Sequence, residues 1–246
     1  MQTNDINTLI SSIKTIADKN TLIIFDVDRT LTIPCDLAIR ENWRIIDKIL
    51  KYYNDQQKYD ANIGRLVDLI NLQAQRCAVD ELEPLFKYIH NSNIQTIALS
   101  SVSNKFESWG DWLYQSLKNV GIDFLEPSKS KNSKFNHGEL YNGILLSSNA
   151  KVDCLNDFLT PFKQKPSKVI FISDKDSDIQ SIQTSCNAQK INFYGIHYTK
   201  SLGLINTNSP VDESRKALEA LQVQYLIESD TWLSDNDAYI LLQELV

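Results

Sequence analysis

Two hydrophobic rhythms alternate along the chain. Ile6, Leu9, Ile10, Ile13 and Ile16 recur at helical spacing within residues 6–18. An unbroken apolar run then predicts a buried strand at about 21–26. Further helical stretches are expected at 37–53 (Ile39, Trp43, Ile46, Leu50), 63–76 (Ile63, Leu66, Val67, Ile70, Leu72) and 81–93. IQTIALSS (94–101) reads as a second strand, and 103–121 as a helix closed by Gly121. Trp109, Trp112 and Leu113 share one face of that helix, as core residues do. GELYNGILLSS (138–148) reads as a hairpin turning at Asn142-Gly143. A helix opened by Lys151 follows over 151–162, then the strand KVIFISD (168–174), the short helix DIQSIQTSC (178–186), and a strand at 190–198. Pro34 is expected in a turn, and the polar stretch 126–137 is expected to be a mobile loop. Beyond Pro210, KALEALQVQYLIESD is amphipathic and helical.

Strands separated by helices predict an α/β fold, a Rossmann-like, doubly wound and mainly parallel sheet. Residues 34–78 hold too much helix for a simple crossover. They are read as a small helical cap inserted after the first strand, with 1–33 and 79–246 forming the core domain.

Composition narrows the partners. The 246 residues carry a net charge of −6, which disfavours a nucleic-acid or anionic membrane surface. Lys129, Lys131 and Lys134 are close in sequence and fit a solvated loop. The N-terminal stretch lacks a secretory pattern, and no apolar stretch is long enough to cross a bilayer. The expectation is therefore a cytoplasmic protein with no integral membrane segment; non-classical secretion and the oligomeric state stay open. Cys35, Cys77, Cys154 and Cys186 lack CxxC or CxxH spacing, which argues against zinc. They are expected to be free thiols, Cys35 as a small buried or flap residue. His90, His137 and His197 lie at no metal-ligand spacing.

Chemistry gathers at strand ends, where open α/β sheets place their ligand crevices. Asp26 and Asp28 follow the first strand at i, i+2 spacing. Ser100, or Ser101, ends the second, and Asp174 the strand 168–174, with Asp178 four residues later. Carboxylates from two strands suit a hard cation such as Mg²⁺, and a paired Asp also suits nucleophilic and acid–base work. The bland alternatives are aspartates capping a turn or helix, a serine that merely ends a strand, and surface lysines.

In this order, FDVDRTLT, IALS, Lys151 and SDKDSD resemble the four motifs of the haloacid dehalogenase-like (HAD) superfamily. The opening DVDRTLT with IALS, NGILLSSNAK and VIFISDK resembles its bacterial DUF2608-like branch. The resemblance covers 21–32, 94–104 and 148–199 and implies a Mg²⁺-dependent phosphatase. Asp26 is then the nucleophile forming an aspartyl-phosphate, and Asp28 the general acid and base. An acid at position 28 separates the phosphatases from the dehalogenases of the superfamily. Mg²⁺ is expected on Asp26, the Asp28 backbone carbonyl and Asp174. Asp178 supports that shell through water or orients Lys151. Ser100 or Ser101 and Lys151 are expected to hold phosphate; Lys163, Lys165 and Lys168 are the competing lysines. Arg29 either adds charge to the phosphate site or points outward. Ser173 departs from the family pattern, where Asp or Gly is frequent, so an outer metal contact is absent or water-mediated.

The implied substrate is a phosphorylated small molecule or a phosphoprotein, phosphotyrosine included. Trp43, Tyr52, Tyr53 and Tyr59 serve as aromatic contacts in the cap or as its core. Two other functions compete: a phosphotransferase of the same fold, and a catalytically silent binding module.

Overall fold

The computed structural model describes residues 1–40, 45, 48–49, 51, 63–101, 109–124, 132–161, 165–205 and 212–244. Trp43, Tyr52, Tyr53, Tyr59, Lys129, Lys131, Lys163 and Pro210 lie outside them. The described strands are β1 (Gln2–Thr3), β2 (Thr21–Asp26), β3 (Thr32–Pro34), β4 (Arg76–Ala78), β5 (Gln95–Ser101), β6 (Asn132–Phe135), β7 (Gly138–Tyr141), β8 (Ile144–Ser147), β9 (Lys168–Ser173) and β10 (Asn192–Tyr198). The helices are α1 (Ile6–Ile16), α2 (Leu37–Arg40), α3 (Ile63–Gln73), α4 (Glu83–Asn91), α5 (Trp109–Asn119), α6 (Lys151–Leu159), α7 (Asp176–Ala188), α8 (Lys200–Leu204), α9 (Glu213–Ser229) and α10 (Asp235–Glu244).

Eight strands form one sheet in the order β1-β10-β9-β2-β5-β8-β7-β6. Pairing is parallel from β1 to β8 and antiparallel across β8-β7-β6. All six residues of β2 are buried, as a central parallel strand covered on both faces requires. Alternation then divides its side chains. Leu22 and Ile24 join Ile97, Leu99, Phe171 and, from α6 and α7, Leu155, Phe158 and Ile182 in one core cluster. Phe25 points the other way, its ring 5.4 Å from that of Phe86 on α4. The mainly parallel α/β sheet is the fold class expected, and Asn142 and Gly143 turn the hairpin with φ of 46° and 80°.

The chain divides into two compact units, Met1–Ile33 with Ala78–Leu204, and Pro34–Cys77 with Ile205–Val246. The C-terminal residues, expected in the core, thus group with the insertion. Their contacts explain it: Val223, Leu226 and Trp232 pack with Ala38, Ile45, Ile49, Leu66 and Ile70. Trp232 Nε1 donates to Asp36 Oδ2 at 2.8 Å, and Arg65 pairs with Asp230.

Local expectations also change. Pro34 closes β3 instead of occupying a turn, and Arg76, expected to end the helix 63–76, instead opens β4, paired with β3 in a separate two-stranded sheet. Residues 132–135 of the expected loop form β6, with Lys134 opposite Glu139. Cys35 and Cys77 are not free thiols. They form a disulfide with Cα atoms 5.2 Å apart, where Cys35 N–H donates to the Gln75 carbonyl at 2.8 Å. Cys154 and Cys186 are free and buried. Among the described residues, no helix is long and apolar enough to cross a membrane.

Candidate active site

The strand order reverses at β2. The chain runs from β2 to β5 and β8 on one side, then returns to β9 and β10 on the other. A crevice is expected outside the carboxyl ends of strands at such a switch point. Asp26 ends β2 there and is 2% exposed. Beyond it, the Val27 carbonyl accepts from the N–H groups of Thr30, Leu31 and Thr32 at 3.3, 2.9 and 3.1 Å. That tight turn puts Arg29 at φ 63°, a left-handed backbone uncommon outside glycine. Asp28 in the same turn is exposed and Arg29 half-buried.

Both Asp26 oxygens are engaged. Oδ1 accepts from Val27 N–H at 2.8 Å and from Lys151 Nζ at 2.6 Å. Oδ2 accepts from the Ser173 hydroxyl at 2.9 Å. Lys151 opens α6 and reaches a second carboxylate, Asp178 Oδ2 at 2.8 Å, in the first turn of α7. Burial pulls the Lys151 ammonium down, but Asp26 and Asp178 together outweigh it, so its pKa lies above the ordinary value. Burial holds the Asp26 carboxyl above the usual carboxylate range, with Lys151 and Ser173 opposing.

Asp174 follows β9. Its N–H donates to Thr30 Oγ1 at 2.9 Å, its carbonyl lies 2.9 Å from His197 Nε2, and its Oδ1 is buried without a hydrogen-bond partner among the described residues. Burial, then repulsion by Asp26, pushes its carboxyl up to about 6, against the pull of Lys175, Arg29 and Lys151. A buried carboxylate oxygen left without a donor, next to a second carboxylate, is where a cation relieves the most energy. Among the described residues no three His, Cys, Asp or Glu side chains stand grouped to hold a metal. Asp26 and Asp174, with the Asp28 carbonyl two residues along the chain from Asp26, are the groups that could hold a cation here. Such a set would suit Mg²⁺, which takes one or two carboxylates and completes its shell with water and phosphate oxygens.

The remaining predicted residues divide. Leu99 pairs with Asp26 in register, so the buried Ser100 lies one step further along β5, while Ser101 is exposed. Among the described residues, Ser100 Oγ makes only a long 3.5 Å contact, to the Ser101 carbonyl. Lys165 bonds Gln189 at 2.6 Å, and Lys168 bonds Asp18 at 2.7 Å at the opposite end of β9. Sequence reasoning assigned no contact to Thr30 or His197, and read Ser173 only as a gap in the metal shell. Their bonds to Asp174 and Asp26 cross between strands, and no local pattern signals them.

The protein is of the class built on a mainly parallel α/β sheet, with a carboxylate–lysine cluster at the switch point. More particularly, the chain belongs to the family described as Protein of unknown function (DUF2608), whose model matches residues 2–239. A comparison with curated proteins found no match. Among solved structures, the chain is similar to a class C acid phosphatase from Bacillus anthracis with tungstate bound. Identity is 15% and the TM-score 0.36, over 92% of this chain and 85% of that one. It is also similar to a HAD family hydrolase from Salmonella enterica subsp. enterica serovar Typhi. There identity is 14% and the TM-score 0.39, over 78% and 73% of the two chains.

Proposed function

We propose that the chain is a Mg²⁺-dependent phosphatase hydrolysing a phosphomonoester through an aspartyl-phosphate on Asp26. One observation carries the reading: Asp26 is buried at the switch point, ion-paired to a lysine that Asp178 also holds, with the orphaned Oδ1 of Asp174 close by. A module that only binds a partner has no use for such a costly cluster of buried acids.

In the first step an Asp26 oxygen forms a bond to phosphorus while the ester O–P bond breaks, and Asp28 gives its proton to the leaving oxygen. In the second, Asp28 takes a proton from water, whose oxygen attacks phosphorus and breaks the Asp26–phosphate bond. Inorganic phosphate leaves, and both carboxyls return to their starting states. The exposure of Asp28 supports this traffic with substrate and solvent. Lys151 offsets repulsion between Asp26 and the incoming phosphate, while Ser100 and Arg29 donate to phosphoryl oxygens. Asp26, the Asp28 carbonyl and Asp174 would hold Mg²⁺, which would neutralise the charge that develops on phosphate. We assign substrate selection, among phosphometabolites and phosphoproteins, to the insertion at 34–78 as a cap.

The test is p-nitrophenyl phosphate hydrolysis with Mg²⁺, with EDTA, and by the Asp26→Asn variant. Turnover is expected only in wild-type protein with Mg²⁺. Equal turnover by Asp26→Asn removes Asp26 as nucleophile, and equal turnover in EDTA removes the metal.

A further inference from the structure

We infer that Ser173 is a positioning residue for Asp26, fixing the plane of the carboxylate that the proposed reaction uses as nucleophile. The inference rests on the phosphatase reading for the meaning of that plane, but its geometry stands on Ser173 alone.

Ser173 is the last residue of β9 and fully buried. A serine hydroxyl has one proton and a free rotor, so its donor direction depends on its surroundings. Here the Lys175 N–H donates to Ser173 Oγ at 3.1 Å and occupies its acceptor side. The hydroxyl proton is left to point at Asp26 Oδ2, 2.9 Å away. An acidic side chain in this place could not donate when ionised and would repel Asp26.

The effect on Asp26 follows from the torsion that ends its side chain. Rotation of a carboxylate about its Cβ–Cγ bond is soft and roughly two-fold. The two oxygens turn together, and on Oδ1 the donors are the N–H of the next residue and the tip of the long Lys151 side chain, which can follow a turning carboxylate. The Ser173 donor on Oδ2 restrains the same torsion from the opposite oxygen, and from a short side chain on a buried strand, so it narrows the range of planes the carboxylate can take. Attack on phosphorus depends on that alignment, since near-attack geometry is lost with small displacements.

Ser173 is itself held. On β10 its register partner is His197, whose Nε2 meets the Asp174 carbonyl at 2.9 Å. From the other side, Thr30 in the turn after β2 accepts the Asp174 N–H. Residues 173–175 are thus tied to β10, to the turn after β2 and to Asp26 itself, so the hydroxyl cannot follow a moving carboxylate.

The experiment compares wild type, Ser173→Ala and Ser173→Thr in two ways. Steady-state hydrolysis of p-nitrophenyl phosphate with Mg²⁺ gives kcat and KM, with thermal melting correcting for folded fraction. Crystal structures of wild type and Ser173→Ala give the Asp26 carboxylate orientation without any turnover. Expected for Ser173→Ala is a kcat lower by about 10- to 100-fold, the rate equivalent of one hydrogen bond to a charged group. KM should stay within about two-fold, because the lost interaction orients the nucleophile and does not bind substrate. Ser173→Thr keeps the hydroxyl and should restore most of kcat; should it misfold, the alanine data still decide. The Asp26 carboxylate should turn in Ser173→Ala. Unchanged kcat, or an unturned carboxylate, overturns the inference. If wild type shows no turnover, the phosphatase reading falls, and the carboxylate orientation alone decides whether Ser173 positions Asp26.

Discussion

Lys151 places one ammonium between two carboxylates, and its side chain is only 12% exposed. Removing one partner of a buried pair leaves an uncompensated charge, so Lys151→Met should cost about 3–5 kcal/mol at neutral pH. The pH dependence follows from Asp26, whose folded pKa is raised by burial. A carboxyl raised in the folded state binds its proton more tightly there, so folding loses stability as pH rises above the unfolded value of about 3.9. Without Lys151 that penalty grows. The melting-temperature gap between wild type and Lys151→Met should be wide at pH 7 and narrow toward pH 4; a gap independent of pH would mean that Lys151 does not neutralise Asp26. The acids and the lysine were legible in the sequence because each stands at the end of an apolar run or the start of a helix. The Ser173 and His197 contacts were not. They depend on how β9 lies in register against β2 and β10, and one strand's sequence does not carry its neighbour's register.

At the level of elements, the buried parallel strands were the easiest to read, since a strand covered on both faces is apolar throughout. The short peripheral strands were not: β4 has three residues and pairs with β3, some forty residues earlier, and the mostly polar β6 gains its structure from pairing with β7. The β7–β8 pair carries a constraint of its own at Gly138, which faces Ser147 across the ladder. A Cβ there would stand 2.1 Å from the Leu146 carbonyl oxygen and 2.8 Å from Cys154 Sγ, and φ is 158°. Backbone cannot retreat as a flexible side chain does. Gly138→Ala should therefore destabilise the protein by about 1–3 kcal/mol, the usual range for overpacking. It should lower the urea midpoint while leaving the slope unchanged. An unaltered midpoint would show that the hairpin relaxes away from the clash.

Over the whole molecule, the sequence reading failed where distant segments meet. The C-terminal helices join the insertion through Trp232 and Asp36, 196 residues apart in the chain. Cys35 and Cys77 are 42 apart and bear no spacing motif. Their disulfide bears on location as well, because such bonds persist in oxidising compartments and are rare in the cytosol. The free thiols expected at Cys35 and Cys77 are therefore replaced by a bond that a reducing environment would open. The two remaining thiols differ sharply from the pair. Burial, with Asp157 adding to it, pushes Cys154 up to about 12, and burial pushes Cys186 up to about 11. Only a thiolate attacks an alkylating reagent, and at pH 8 neither group supplies one in the folded protein. Iodoacetamide followed by mass spectrometry counts the classes. Native protein should take up no label, unfolded unreduced protein should label two cysteines, Cys154 and Cys186, and unfolded reduced protein all four. Four labels without reductant would break the disulfide assignment. Label on native Cys154 would mean that the helix it stands on opens from the β8 strand it packs against.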